Sequence, residues 1–154
     1  MTEIDPMTPA RLPLALVLAA CFGSSAAWAE TVAPAAEVAQ GLTVELNALA
    51  ASERGCKLTF VAGNALSASL TKVSFEFVLF DPKGRVERMA TLDFRDLPAG
   101  KTKVRQFDLP GTQCEALGSL LINDAPVCSG EGIEKAACMR GLQTGSKAAI
   151  ALKG

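Results

Sequence analysis

A chain of 154 residues with 49% apolar, 20% charged and 5% aromatic side chains has the make-up of one folded domain with a short appended segment, and is neither collagen-like nor disordered. Fifteen Lys and Arg stand against 16 Asp and Glu, so a net charge of -1 supplies no long-range field for collecting nucleic acid or an anionic membrane surface. With no His and no Tyr, the chain lacks the usual general base, the commonest metal ligand and every Ser-His-Asp or Cys-His arrangement.

Residues 1–29 read as a secretory signal peptide. Arg11 precedes an apolar run from Leu12 to Phe22 that is broken only by Pro13. The run is too short for a bilayer-spanning helix, which takes about 20 apolar residues, and has the length of a signal h-region. Ala27-Trp28-Ala29 gives the small-x-small pattern ahead of Glu30, and Met7 is an alternative start that brings Arg11 nearer the amino terminus. A second cleavage reading stands beside this one. Leu18-Ala19-Ala20-Cys21 resembles the lipobox of bacterial lipoproteins, which implies a mature chain anchored through a lipid on Cys21. Bulky Phe22 and the small-residue segment that continues to Ala29 favour soluble secretion into the periplasm.

Cleavage after Ala29 leaves 125 residues with 14 acidic and 14 basic side chains and no transmembrane span. Trp28 leaves with the leader, so Phe is the only aromatic that remains and a sugar-binding platform is disfavoured. Residues 30–41, rich in Ala and interrupted by Pro34, read as a tether, and residues 42–154 as the domain. Four cysteines remain: Cys56, Cys114, Cys128 and Cys138. An even number in an exported chain favours two disulfides. With no C-x-x-C and no His, neither a thiol-redox motif nor a zinc site is indicated, and no cofactor is implied.

From Leu42 onward, short alternating runs separated by turns predict an all-β antiparallel sandwich of about seven strands. Leu42, Val44, Leu46 and Ala48 alternate with polar residues in a first strand, and Leu58, Phe60 and Ala62 in a second. Val73, Phe75, Phe77 and Leu79 line one face of a third, which ends at Asp81-Pro82-Lys83-Gly84, a type I turn sequence. A fourth, about 85–94, is expected to bury Val86, Ala90, Leu92 and Phe94. Leu97-Pro98-Ala99-Gly100 then turns the chain into a fifth at 102–109. A sixth spans about 117–123 and a seventh about 148–152. Between these two, Ile133, Ala137 and Met139 fall near helical spacing and predict a short helix in the last long loop.

If strands alternate up and down, Cys56 and the loop holding Cys114 lie at one end of the sandwich. Cys128 and Cys138 share the loop at the other. The expected bridges are therefore Cys56–Cys114 and Cys128–Cys138.

Phe77-Val78-Leu79-Phe80-Asp81 resembles the signature of FxLYD domains, small immunoglobulin-like modules of exported prokaryotic proteins, with Phe80 in place of the Tyr. Gly63-Asn64, placed in the loop before that strand, Gly84 and the Leu97-Pro98-Ala99-Gly100 turn agree with it. The resemblance covers residues 42–109, while the four cysteines and the long last loop depart from the pattern. The whole chain is also similar to uncharacterised exported alphaproteobacterial proteins, which implies a periplasmic home and no particular activity.

No catalytic constellation stands out. Asp93, Asp96 and Asp108 are the carboxylates available for paired acid and base work, but read as solvated positions at strand ends and turns, while Asp81, Asn123 and Asp124 read as turn residues that cap backbone groups. Lys101, Lys103 and Arg105 alternate along the fifth strand, either as a charged guard on an exposed strand or as a face for an acidic partner. Val78 and Phe80 lie opposite the Phe75, Phe77 and Leu79 face, either beneath a neighbouring element or as an exposed patch for a partner. The leading expectation is a non-catalytic periplasmic module that binds another envelope protein through a sheet edge or the Cys128 to Cys138 loop. A carrier of a small apolar ligand and a cell-wall hydrolase or transferase are the alternatives.

Overall fold

In the computed structural model the described residues are 40–154; the leader, Cys21 and residues 30–39 lie outside them. Eight strands follow in chain order: β1 (Leu42–Ser52), β2 (Gly55–Asn64), β3 (Leu70–Phe80), β4 (Val86–Leu97), β5 (Thr102–Pro110), β6 (Ser119–Ser129), β7 (Gln143–Ser146) and β8 (Ala151–Lys153). They form two four-stranded sheets, β5-β2-β1-β7 and β4-β3-β6-β8. The fold is an immunoglobulin-like β-sandwich, in which the hairpins β1–β2 and β3–β4 lie in different sheets and each gains the strand that follows later in the chain.

The alternation of apolar residues produces the core directly. Leu42, Val44 and Leu46 on β1, Leu58, Phe60 and Ala62 on β2, and Val73, Phe75, Phe77 and Leu79 on β3 are all buried. Phe94 of β4 sits in the centre of the aromatic cluster, 5.5 Å from Phe60, 5.3 Å from Phe75, 6.2 Å from Phe77 and 5.0 Å from Phe107, centroid to centroid. Such pairs add about 0.5 to 1.5 kcal/mol each beyond the area they bury.

Three local features differ from the simple alternation. Phe80 pairs with Val86 while Leu79 pairs with Arg88, so Glu87 is an extra residue that reverses the parity of β4. Val86, expected inside, is consequently 60% exposed, and Arg88 takes the inward position. The last strand is divided: β7 pairs in parallel with β1 in one sheet and β8 in parallel with β6 in the other, giving eight strands rather than seven. β6 continues to Ser129 through Asn123, Asp124 and Pro126, with register shifts opposite Glu76, where the composition predicts a turn. The predicted helix of the last loop is a single 3-10 turn, Lys135–Cys138.

Both expected disulfides are present, Cys56–Cys114 at the end near Gly55 and Cys128–Cys138 joining β6 to the 3-10 turn. Gly63 and Asn64, expected in a loop, end β2, where Asn64 is only 3% exposed. Its side-chain amide donates to Leu97 O at 2.9 Å and Ala68 O at 3.1 Å, and its Oδ1 accepts from Leu66 N–H at 2.8 Å. The turn Leu97 to Gly100 closes on the same residue, with Gly100 N–H donating to Asn64 O at 2.8 Å. Asn64 thereby joins the β2–β3 loop to the β4–β5 turn and leaves none of its side-chain polar atoms unpaired.

Candidate interaction surface

The outer face of the β4-β3-β6 sheet carries two of the three large exposed apolar side chains, Val86 and Met89; the third, Val104, lies on β5 of the other sheet. Val78 faces Met89 on β4 and Leu121 on β6, and Phe80 faces Val86 on β4 and Ser119 on β6. Val86 and Met89 are 60% and 51% exposed, Phe80 and Leu121 are half-buried, and Val78 beneath them is 8% exposed. Five apolar side chains therefore form two adjacent rows across three strands. Lys153 borders the patch beyond Leu121, and Glu76 and Thr91 form the next row, with Asn123 donating to Glu76 Oε1 at 2.8 Å. At the other margin, Asp81 receives the backbone N–H groups of Lys83 and Arg85 at 2.9 Å each and pairs with the Arg85 guanidinium at 2.7 Å. Backbone donation from Arg85 is the main reason the Asp81 carboxyl is held below its ordinary range. The hairpin beside the patch is thus fixed by its own turn chemistry, with Gly84 at φ 77 completing the reversal.

Val78 and Phe80 are legible in the sequence as a candidate patch, whereas the residues that complete it are not. Met89 follows from its register opposite Val78, whereas Val86 reaches the surface only because Glu87 is inserted, an irregularity with no signature in the sequence.

The three cations of the fifth strand are not brought together as one exposed row. Lys101 is exposed in the turn, while Lys103 and Arg105 share the inward parity of Phe107 and Leu109 and lie at the open side between the sheets. Lys103 Nζ pairs with Asp96 at 2.6 Å. Arg105 donates from Nε to Phe94 O at 2.7 Å and from its second amino group to Asp96 O at 3.0 Å. At the far end of the same side, Arg88 of β4 donates to Pro110 O at 3.1 Å and to the Thr112 hydroxyl at 3.3 Å. Two arginines, one from each edge strand, thus tie the sheets together where no ladder joins them.

The carboxylates do not form an acid and base pair. Asp93 is held low by the backbone N–H of Arg95 and by Lys72, and Asp96 by Lys103 first and then Arg105, so each is stabilised as the anion. Asp108 lies on β5 opposite Lys57 of β2, with a buried Oδ1 that lacks a hydrogen-bond partner among the described residues. Asn123 and Asp124 lie within β6, where Asp124 Oδ1 accepts from the N–H of Ala125 at 2.8 Å. Among the described residues no group of three or more Cys, Asp or Glu side chains is placed to hold a metal ion, and no helix is long and apolar enough to cross a membrane.

Searches against protein families, curated proteins and solved structures find no match to this chain.

Proposed function

We propose that the chain is an exported, non-catalytic binding module of the periplasm that docks on another envelope protein through the outer face of the β4-β3-β6 sheet. The observation that carries this reading is the contiguous patch of Val78, Phe80, Val86, Met89 and Leu121, two of whose members are more than half exposed. Large side chains are left outside on a domain that has buried its other Phe and Leu alternation with few irregularities, and an apolar cluster rimmed by polar groups is the usual form of a protein contact. Two disulfides fit an oxidising compartment. The FxLYD resemblance of residues 77–81 supports the same placement, since the patch includes Val78 and Phe80 of that motif.

The interior supports a binding face over a carrier. Phe60, Phe75, Phe77 and Phe94 are each no more than 1% exposed and pack against one another, filling the space a ligand would need. The clefts on the described surface, about 400 to 540 Å³, are lined largely by charged and polar side chains.

Met89→Glu tests the proposal. The residue is half exposed, so the variant is expected to fold within about 0.5 kcal/mol of the wild type. It is also expected to lose co-purification of its partner from gently solubilised envelopes. Retention of the same partner at the same stoichiometry contradicts the proposal.

A further inference from the structure

Among the described residues, Arg95 is the one non-glycine residue in the left-handed region, at φ 62. Its backbone is held there by donation from its own N–H to Asp93 Oδ1 at 2.8 Å, at a shift in the β3–β4 register between Val73 and Ser74. Gly or Asn occupies such a position at less cost, because the Cβ and long side chain of Arg gain nothing from the bend itself. No internal contact accounts for the Arg. Among the described residues its guanidinium makes neither a hydrogen bond nor an ion pair, whereas Asp93 beside it pairs with Lys72 at 3.6 Å and Asp96 pairs with Lys103 and Arg105.

Arg95 borders a cleft of about 400 Å³ between the edge strands β4 and β5, whose lining includes Leu92, Phe107, Gln106, Asp93 and Arg105. Phe107 is only half-buried, so the cleft has an apolar floor between polar walls. Arg95 and Arg105 line it against Asp93, with Lys72 paired to Asp93 and Lys103 paired to Asp96 alongside. Both carboxylates are already engaged, which leaves Arg95 without a counter-charge among the described residues. Neither Glu76 nor Asp108 lines the cleft.

We infer that the β4–β5 cleft is a second docking surface, built for an extended acidic segment of a partner protein that sets a carboxylate against Arg95 and an apolar side chain over Leu92 and Phe107. Charge complementarity selects the acidic chemistry, and the half-buried ring selects a chain with alternating apolar residues over a bare anion. A strand lying in the cleft presents its carboxylates on one side and its apolar groups on the other, because successive side chains alternate. The inference rests on the reading of the chain as a protein-binding module but not on Val78, Phe80, Val86, Met89 or Leu121, none of which lines the cleft; Thr91 alone is shared with the row beside that patch.

The test uses the purified protein with its disulfides intact and a fluorescein-labelled (Glu-Val)4 peptide, followed by anisotropy. The acidic peptide is expected to bind with an affinity that falls as salt rises, and the (Gln-Val)4 peptide to bind at least about tenfold more weakly. Arg95→Gly is the decisive variant, since it relieves the backbone while removing the charge. Its melting temperature is expected to rise as its affinity for the acidic peptide drops about tenfold, a split that a purely structural Arg95 cannot produce. Arg95→Gln is expected to lose the same affinity without the gain in stability. Equal binding of the two peptides, undiminished binding by Arg95→Gly, or tighter Arg95-dependent binding to phosphatidylglycerol vesicles than to the peptide each overturns the inference. Any of these results with partner capture still dependent on Met89 overturns the cleft alone and leaves the proposed function standing.

Discussion

The Nε–H of Arg105, on the edge strand of one sheet, donates to the carbonyl oxygen of Phe94, on the edge strand of the other, at 2.7 Å. The bond joins two sheets that share no ladder on that side, and it fixes the strand whose ring is the centre of the aromatic core. Arg88 makes the reciprocal connection from β4 to Pro110, at the end of β5. Cations that would be read as a guard on an exposed strand therefore also close the sandwich.

Arg105→Ala is expected to destabilise the protein by about 1.5 to 3 kcal/mol, because it removes charge-assisted bonds to two carbonyl groups and to Asp96. Arg105→Lys keeps the charge but not the fork, and is expected to recover less than half of the loss. Urea unfolding measures both, and a full recovery by Lys contradicts the assigned role.

Asn64→Ala is expected to cost about 2 to 3 kcal/mol, since it strands Leu97 O and the N–H of Leu66 at a buried junction. Asn64→Asp retains an acceptor for Leu66 but loses both donors, and should remain clearly destabilised. Hydrogen exchange should report the loss first at the amides of Gly100 and of residue 64 itself, because the Gly100 N–H donates to Asn64 O and the Asn64 N–H donates to Lys101 O.

The aromatic core predicts an order. Phe94→Ala is expected to cost about 3 to 5 kcal/mol, as a buried ring with four aromatic neighbours is replaced by a cavity. Phe107→Ala should cost less, because Phe107 is half-buried at the cleft. Equal losses in thermal or urea unfolding contradict this packing.

The disulfides predict a second order. Cys56–Cys114 closes a span of 58 residues and Cys128–Cys138 one of 10, so loop entropy makes the first worth about 4 kcal/mol and the second about 3 kcal/mol. Each bridge has one fully buried cysteine, Cys56 or Cys138, and one half-buried cysteine, Cys114 or Cys128, so the span sets the order. Paired Ser substitutions are expected to give the greater fall in melting temperature for Cys56 and Cys114.

Acid should destabilise the fold. Glu45 is held below its ordinary range by Asn47 and then Lys147, Asp81 and Asp93 chiefly by backbone N–H groups, and Asp96 chiefly by Lys103. A carboxylate whose folded value lies below its unfolded value, about 4, contributes stability that is complete above that pH and is lost as pH falls through the folded value. Melting temperature is therefore expected to decline as pH falls below about 4.5, and a constant or rising value contradicts the ion pairing described.

Much of the architecture is legible in the chain because its physical cause is local. The period-two placement of Leu42, Val44 and Leu46, and of Val73, Phe75, Phe77 and Leu79, assigns strand and buried face together. Strand direction then brings the cysteines into their two pairs. What escapes is set by tertiary fit. Glu87 enters as an extra residue with no local mark, and the parity error it causes puts Val86 inside on paper and outside in the fold. Gln143 to Ser146 has no large apolar residue and becomes a strand only because β1 offers an open edge. Asn64 looks like a turn residue, and its buried role depends on Leu97, 33 positions away in sequence. Of the candidate surface, Val78 and Phe80 were readable, while the extent of the patch required the register.

The most direct measurement is photo-crosslinking in intact cells with a photoreactive amino acid at Met89, compared with the same residue at exposed Ala50 on the other sheet. One stoichiometric adduct with an envelope protein is expected from position 89, lost when Phe80→Glu is introduced into a chain that still folds, and none from position 50. Equal adducts from both positions, or an adduct from position 89 that is indifferent to Phe80→Glu, would contradict a docking site on the outer face of the β4-β3-β6 sheet.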